Sequence, residues 1–419
     1  MDEGGAHGRH QAAAMVGRGG RRRRGAEGLG IGRGGHRHQR GMKKGLRHGV
    51  AGDEPTQQDR LSGLGRNSES THGALGTIWH RCPAVCSKTL FIMRMALFPR
   101  SLSAFACMAA AFLIPGAARA AAPGAVVESL SLRCGTTTCD AEIQRPAGVS
   151  RPPVIIMAHG FGALRDWGLS PFADRFVQAG FAVVRFDYRG FGRSGGQPRR
   201  VVDGPAHVDD WVSVIDAVAA RQDVDGARLG IWGSSYSGGQ VLVAASRRPQ
   251  VVKAVSSQVP FVHGLSSALR YPLRHQPAAM WMAIRDALRG DGEAPVYMPI
   301  ISADGGTAAL ICDECVAGYS RLVPKGQEGE NKVAARFLFS LPFFYPIDSA
   351  PQVQAPTLVI AAAQDGLIPV QKVRDTAKAL PRGEYVELAG AHHFSPYSGP
   401  VFEQVVARQT AFFRQHLAR

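Results

Sequence analysis

Residues 230–239 read Gly-Ile-Trp-Gly-Ser-Ser-Tyr-Ser-Gly-Gly, and this stretch decides the fold. An apolar run typical of a buried strand leads into it, and apart from Tyr236 the residues around Ser235 are small: Gly233 and Ser234 before it, and Ser237, Gly238 and Gly239 after it. Small residues let a chain turn sharply from a strand into a helix, which exposes the central serine hydroxyl at the carboxyl edge of a sheet. Ser237 replaces the second glycine of the strict G-x-S-x-G pattern. We interpret the stretch as a nucleophile elbow centred on Ser235; the alternative is a polar turn whose serine caps the next helix.

Short apolar runs alternate with longer amphipathic segments from residue 121 onward. This alternation is typical of a mostly parallel sheet flanked by helices, and it predicts an α/β fold. Strands are predicted at 154–157, 181–186, 229–232, 251–255, 358–360 and 385–388. Helices are predicted near 169–179, 207–221, 237–247, 371–380 and 401–417. The alternation breaks between Pro260 and Pro356, so we predict an inserted, mainly helical cap at about 261–350.

A glycine-rich segment upstream of the elbow is predicted to stabilise the negative charge that forms during acyl transfer. His159-Gly160-Phe161-Gly162 directly follows the strand predicted at 154–157. Acyl transfer creates an oxyanion, which backbone N–H groups on an open loop can stabilise. We expect the N–H groups of Phe161 and Tyr236 to form this oxyanion hole. The alternative is a simple glycine turn, and His159 is interpreted as a structural residue rather than a base.

An acid and a base are predicted after two later strands. Asp365 follows the strand at 358–360, and the pair His392-His393 follows the strand at 385–388. The order Ser235, Asp365, His393 is the order expected when a nucleophile elbow is part of a catalytic triad. His393 is chosen over His392 by its resemblance to related loops, in which a small residue and one further residue precede a histidine that is followed by an aromatic residue. His393-Phe394 fits this ending, and Phe394 packed inward would fix the loop.

The region from about residue 125 to 419 resembles the α/β-hydrolase superfamily. The resemblance rests on residues 233–239, on Gln258-Val259-Pro260, and on the cap segments 295–300 and 331–336. These are similar to a subgroup that includes fungal polyketide transferases and uncharacterised bacterial α/β hydrolases. The elbow is also similar to that of cocaine-esterase-like and Xaa-Pro dipeptidyl-peptidase-like enzymes. The resemblance implies serine hydrolase or acyl-transfer chemistry and leaves the acyl group open.

The predicted mechanism is cleavage of an ester or thioester through an acyl-enzyme on Ser235. His393 removes the Ser235 proton, and Asp365 orients His393. Water or another alcohol then takes the acyl group, so a polyketide-transferase-type acyltransferase and a prolyl-peptidase-like amidase remain alternatives. A catalytically idle binding protein is a further alternative. The expected partner is a small-molecule acyl substrate, and neither an organic cofactor nor a metal is expected. The oligomeric state is left open.

The cap contains two apolar segments, residues 278–284 and 337–345. They are compatible with the lining of an acyl pocket and equally with packing of the cap onto the sheet.

The positive charge lies mainly at the front of the chain. The whole sequence is 45% hydrophobic and carries a formal charge of +16, but residues 1–92 hold 16 Lys and Arg against 7 Asp and Glu, whereas residues 121–419 hold 30 against 26. Residues 1–92 are Arg-, Gly- and His-rich and predict a disordered segment. An arm that binds RNA or another polyanion is one interpretation. We favour the interpretation that translation starts at Met93 or Met95, so no nucleic-acid partner is expected.

Residues 93–120 have the three parts of a secretory signal peptide. Arg94 and Arg100 precede an apolar run at 105–114, and Ala118-Arg119-Ala120 forms a small-x-small cleavage site. The apolar run is too short to span a bilayer comfortably. We therefore expect a mature protein that begins at Ala121, is periplasmic or secreted, and has no stable membrane span.

Four cysteines follow the predicted cleavage site, in two close pairs. Close pairs in an oxidising compartment favour disulfides. Cys134 and Cys139 are predicted to pair across a hairpin turn. Cys312 and Cys315 form a CxxC motif, which is compatible with a structural disulfide, a redox-active pair or half of a metal site. A zinc site is not expected, because no second CxxC or nearby histidine accompanies it.

Overall fold

An eight-stranded sheet forms the centre of the structure, a computed structural model that describes residues 124–290 and 292–418. Its strands are β1 (Ala125–Cys134), β2 (Thr137–Pro146), β3 (Pro153–Ala158), β4 (Ala182–Phe186), β5 (Asp225–Ser234), β6 (Val252–Gln258), β9 (Thr357–Ala362) and β10 (Gly383–Leu388). The spatial order is β1-β2-β4-β3-β5-β6-β9-β10. The β1–β2 and β2–β4 pairs are antiparallel, and the other pairs are parallel.

Helices cover both faces of the sheet. The five that flank it are α1 (Ser170–Gln178), α2 (Gly204–Ala219), α3 (Tyr236–Arg247), α7 (Val370–Ala379) and α8 (Gly399–Leu417). Alternate residues of β3 point to opposite faces: Val154 and Ile156 belong to one apolar cluster, and Ile155 and Met157 belong to the other. Both faces of the central strands are buried, and a strand buried on both faces requires a continuous apolar run. Such runs are the pattern from which these strands were predicted. The predicted α/β-hydrolase fold class is confirmed.

The chain between β6 and β9 leaves the sheet and forms a separate layer. It contains the helices α4 (Gly264–Ala268), α5 (Gln276–Ala287) and α6 (Cys315–Ser320), and 3₁₀ segments of three to seven residues. It also contains a small antiparallel pair of strands, β7 (Tyr297–Pro299) and β8 (Lys332–Ala334). The Asp286 carboxylate accepts hydrogen bonds from Arg336 and from the backbone N–H of Val296, and so ties α5 to the segments beside this pair. No helix in the described part of the chain has both the length and the apolar composition that a membrane span requires.

The antiparallel hairpin β1–β2 was not predicted as two strands, although its cysteine pair was. Cys134 and Cys139 form a disulfide with Cα atoms 5.7 Å apart, and both side chains are fully buried. Cys312 and Cys315 are also joined, with Cα atoms 5.0 Å apart. Both close pairs are therefore disulfides in this structure.

Replacing Cys134 and Cys139 together by alanine is expected to lower the free energy of unfolding by about 2 kcal/mol, because a short closed loop removes only a modest amount of chain entropy from the unfolded state. Urea denaturation under non-reducing conditions measures this. The matched control is the Cys312→Ala/Cys315→Ala protein, in which the hairpin disulfide remains. An unchanged unfolding midpoint in the hairpin variant would show that this disulfide does not stabilise the fold.

Candidate active site

Ser235 lies at the junction of β5 and α3 with an unusual backbone conformation. Its φ is 59° and its ψ is −120°, a region that non-glycine residues rarely adopt. The tight turn depends on glycines: a Cβ on Gly233 would lie 2.2 Å from the Ser237 carbonyl oxygen, and one on Gly239 would lie 1.9 Å from that of Phe261. Ser237, by contrast, has room for its hydroxyl, which accepts a hydrogen bond from Tyr188 at 2.9 Å. A serine at this position therefore preserves the elbow.

Three of the predicted residues form one hydrogen-bonded series. The His393 Nε2 atom lies 2.9 Å from Ser235 Oγ, and His393 Nδ1 lies 2.7 Å from Asp365 Oδ2. The other carboxylate oxygen of Asp365 accepts the backbone N–H groups of Leu367 and Ile368 at 2.8 and 2.7 Å. Asp365 and His393 are buried. With the Nδ1 proton directed at Asp365, His393 can accept the Ser235 proton at Nε2.

His392, the alternative base, points away from this series. It is exposed, and its Nδ1 atom lies 3.1 Å from the backbone oxygen of Gln364. The next residue but one, Phe394, is buried and packs tightly on Gly318 of α6, where a Cβ would lie 2.4 Å from the ring. The aromatic residue after His393 therefore fixes the loop from the cap side.

The predicted oxyanion loop runs beside Ser235. A Cβ on Gly160 would lie 3.3 Å from the Ser235 Cβ, so the loop approaches the elbow closely. Within the described ranges, the N–H groups of Phe161 and Tyr236 donate to no protein acceptor. Tyr319 donates its hydroxyl proton to the Phe161 carbonyl at 2.9 Å, which ties the loop to the cap. Two free N–H groups beside a serine hydroxyl are the donors that an oxyanion needs.

Two fully buried histidines support the loop and the elbow. Burial lowers the pKa of His159 to about 3. The His159 Nδ1 atom lies 2.9 Å from the carbonyl oxygen of Gly160. Burial also lowers the pKa of His207 well below its ordinary value, and His207 Nδ1 lies within hydrogen-bond distance of the Tyr236 hydroxyl, at 2.9 Å. Both imidazoles are therefore neutral at physiological pH and act as fixed hydrogen-bonding groups.

Glu314, in the turn closed by the Cys312–Cys315 disulfide, contacts the loops that carry the acid and the base. One of its carboxylate oxygens accepts the backbone N–H groups of Gly366 and His393, each at 3.4 Å. A Cβ on Gly366 would lie 3.0 Å from Cys312 Cβ, so the turn also packs closely on the chain after Asp365. The turn thus connects two loops that are far apart in sequence.

A cavity of about 530 Å³ opens beside Ser235. Its wall is mainly apolar and comes from the cap and from the loop after Asp365. The lining includes Phe261, Leu269, Met280, Leu310, Phe337, Leu341 and Ile368, together with Phe161 and Tyr236. The two apolar cap segments of the sequence both contribute to it, through Met280 and through Phe337, Leu338, Leu341 and Pro342.

The mostly parallel sheet, the serine elbow, and the acid and histidine after later strands define an α/β hydrolase. The chain belongs to the α/β-hydrolase superfamily, in the family that includes the quorum-quenching protein AidA of Acinetobacter baumannii. It is 35% identical to that protein over 278 residues, which cover 66% of this chain and 91% of the relative.

Further comparisons agree with this assignment. Residues 135–288 match the X-Pro dipeptidyl-peptidase (S15) family. The polyketide transferase af380 of Aspergillus fumigatus is 26% identical over 289 residues, covering 67% of this chain and 96% of that one. The crystal structure of the α/β hydrolase GrgF from Penicillium shares the fold, with a TM-score of 0.60 and 22% identity over 70% of this chain and 99% of that chain.

All five residues predicted for the site are brought together at one edge of the sheet. Sequence reasoning missed Glu314, His207 and Tyr319. The Cys312-Asp-Glu-Cys315 motif was a signal for the first of these, since a CxxC turn holds its middle residues rigidly, but its neighbours in space were not predictable.

Proposed function

We propose that the protein is a serine hydrolase that cleaves an ester or thioester through an acyl-enzyme on Ser235. The observation that carries the proposal is the hydrogen-bonded series Ser235–His393–Asp365, which ends at the wall of an apolar cavity. Two backbone N–H groups that have no acceptor among the described residues, those of Phe161 and Tyr236, lie beside the same serine. A binding protein would have no need for a strained serine and a buried histidine–aspartate pair at its pocket.

The reaction begins when His393 takes the Ser235 proton while Ser235 Oγ attacks the acyl carbonyl carbon. The carbonyl oxygen becomes an oxyanion and accepts the N–H groups of Phe161 and Tyr236. Asp365 holds the imidazole by its Nδ1 proton and stabilises the positive charge that forms. His393 then protonates the leaving alcohol or thiol, and the acyl group stays on Ser235. This mechanism uses no metal and no organic cofactor.

The fate of the acyl-enzyme separates two related activities. Water gives hydrolysis, and a second alcohol or other nucleophile gives acyl transfer. The name of the Aspergillus relative, polyketide transferase, supports transfer as the second candidate. The match to X-Pro dipeptidyl-peptidases supports prolyl amides as test substrates.

The cavity supports a substrate with an apolar acyl group. Its volume falls within the range of pockets that enclose small organic ligands. The apolar wall replaces water around the acyl chain, which favours binding in proportion to the apolar area buried.

Labelling with a fluorophosphonate probe tests the nucleophile, and a substrate panel tests the reaction. We expect the wild-type protein to be labelled at Ser235 and to hydrolyse p-nitrophenyl esters and acyl thioesters faster than prolyl p-nitroanilides. Each reaction is run with and without a primary alcohol, because transfer yields a new ester in place of the free acid. A folded protein that neither labels nor turns over any of these substrates would leave a binding role as the better reading.

Export to the periplasm or the medium is part of the proposal. The supporting observations are the two disulfides and the signal-peptide pattern in residues 93–120, which lie outside the described residues.

The mature protein is expected to begin at Ala121, because signal peptidase cleaves after a small-x-small sequence. N-terminal sequencing or intact-mass measurement of the protein from its native source tests this. The unprocessed, cytoplasmically expressed chain provides the reference mass. Peptides from residues 1–92 in the native material would refute both the proposed start and the proposed cleavage.

Glu314→Ala is expected to lower kcat about ten-fold with little change in KM, because Glu314 touches the loops of Asp365 and His393 and lies outside the cavity wall. Glu314→Gln keeps an acceptor oxygen and should restore most of kcat. The measurement is steady-state kinetics on a soluble ester, together with the rate of fluorophosphonate labelling. Equal losses in both variants, or a loss confined to KM, would argue against a positioning role.

A further inference from the structure

An apolar stripe on the outer side of α5 points into solvent. The side of α5 that packs on the protein carries Ala279, Ala283 and Asp286. The opposite side carries Pro277, Met280, Trp281, Ile284 and Leu288, all of them exposed. Trp281 and Leu288 are 61% and 81% exposed. A typical surface helix turns its large apolar side chains toward the core, whereas α5 turns them toward solvent. The stripe is therefore suited to bind a partner surface outside the described residues.

Two more leucines extend the stripe beyond the helix. Leu269 and Leu273 precede α5 in the chain and are 76% and 80% exposed. We call the set Leu269, Leu273, Met280, Trp281, Ile284 and Leu288 the cap face.

Each of four arginines directly follows a residue of the cap face in the chain. The segment 264–290 contains four exposed arginines, Arg270, Arg274, Arg285 and Arg289. The one acidic residue of this segment, Asp286, is buried and accepts a hydrogen bond from Arg336. Within the described chain, only Arg289 of these four arginines has an ion pair, with Glu293. The segment that carries the cap face is therefore rich in exposed apolar and positively charged side chains.

We propose that the cap face docks on an anionic lipid surface. A helix with Trp and Leu on one side and arginines beside them is the arrangement that lies in the plane of a bilayer interface. Tryptophan favours the headgroup level, and each arginine is attracted to negatively charged lipid. A symmetric contact between two copies would instead place the four arginines of one chain near the four of the other, which opposes association.

The cap face also adjoins the cavity. Leu269, Pro277 and Met280 line the cavity and are exposed as well, so the cavity reaches the surface beside the stripe. If Ser235 is the nucleophile of an acyl hydrolase, which is the proposed function, an acyl chain dissolved in lipid reaches it without crossing water. The substrate class that follows is an ester or thioester with an apolar chain that partitions into membranes.

Vesicle cosedimentation tests the docking without requiring activity. The protein carrying Ser235→Ala, prepared both as the full chain and as residues 121–419, is mixed with vesicles of phosphatidylcholine, with or without about 30 mol% phosphatidylglycerol. The shorter protein carries the test, because the basic residues 1–92 would attract anionic lipid by themselves. We expect binding to the anionic vesicles that is at least ten-fold tighter than to the neutral ones, and weaker in about 0.5 M NaCl because salt screens the arginines. Trp281→Ala, and separately Arg274→Gln with Arg285→Gln, should each weaken it by about ten-fold.

Matched controls use exposed residues outside the cap. Val127→Ala and the pair Arg382→Gln with Arg414→Gln should leave vesicle binding unchanged. Equal weakening by the control and cap variants, or no binding to anionic vesicles, would overturn the proposal. So would a dimer in light scattering that Trp281→Ala dissociates, because the partner would then be a second copy. Protection of Trp281 from acrylamide quenching without vesicles would show that the chain outside the described residues covers the face, and would also overturn it.

An activity measurement separates this inference from the proposed function. In the protein with an intact Ser235, Trp281→Ala should leave hydrolysis of soluble p-nitrophenyl acetate unchanged, since Trp281 does not line the cavity, and should lower hydrolysis of a long-chain ester embedded in anionic vesicles by about ten-fold. An equal loss on both substrates would contradict docking. If the wild-type protein turns over neither substrate, the proposed hydrolase function is refuted. Membrane docking by the cap face is then judged by vesicle cosedimentation alone.

Discussion

Ser235→Ala is expected to lower kcat/KM for any accepted ester by about 10³-fold or more and to abolish fluorophosphonate labelling. The reason is that Ser235 supplies the attacking oxygen and is the hydroxyl that His393 Nε2 approaches at 2.9 Å. Binding of the apolar acyl group should survive, because the cavity wall is otherwise unchanged. The measurement is kcat/KM on a p-nitrophenyl ester, with the melting temperature recorded alongside to establish that the protein is folded.

Ser234→Ala is the matched control for this prediction. Ser234 is the neighbouring serine, but it is fully buried, and its hydroxyl accepts hydrogen bonds from Tyr397 at 2.6 Å and Gln258 at 3.0 Å. Its loss should affect stability and leave labelling at Ser235 in place. Labelling that persists in Ser235→Ala and disappears in folded Ser234→Ala would move the nucleophile one residue upstream.

The elbow and the strand ends were predictable because their information is local. Residues 230–239 combine an apolar strand, the small residues that a sharp turn requires, and the start of a helix within ten positions. Parallel strands then bring Asp365 and His393 to the same edge as Ser235, since the carboxyl ends of such strands lie together. The predicted helices agree with the observed ones to within a few residues. α3, whose first ten residues are all buried, was predicted from its place directly after the elbow, and the others were predicted from their amphipathic patterns.

The contacts around that edge were not predictable, because their partners are distant in sequence. Glu314 meets the His393 backbone 79 positions later, and Tyr319 meets Phe161 across 158 positions. His207 gave no local signal, because one histidine in an amphipathic helix has the same pattern whether or not it faces Tyr236. The hairpin turn at Cys134 and Cys139 was predicted, but the strands β1 and β2 were not. The outer strand β1 is half exposed and lacks the apolar run by which the other strands were recognised.

His393→Ala is expected to lower kcat about as severely as Ser235→Ala, on the order of 10³-fold or more, and His392→Ala is expected to lower it far less. The two histidines are adjacent in the same loop, but their side chains lie in different environments. His393 is buried between Ser235 and Asp365, whereas the His392 ring is exposed and lies 3.1 Å from the backbone oxygen of Gln364. Steady-state kinetics on one soluble ester, at one pH, compare the pair directly.

The double variant Ser235→Ala with His393→Ala distinguishes a shared step from two separate contributions. If His393 acts only by activating Ser235, removing it from a protein that already lacks the serine hydroxyl costs little more, so the two losses do not multiply. The product of the two single losses would mean that His393 contributes independently, for example by binding the substrate. If folded His392→Ala loses turnover while His393→Ala retains most of it, His392 is the base. The loop that Phe394 anchors on Gly318 would then have to rearrange in solution to bring the His392 imidazole to Ser235.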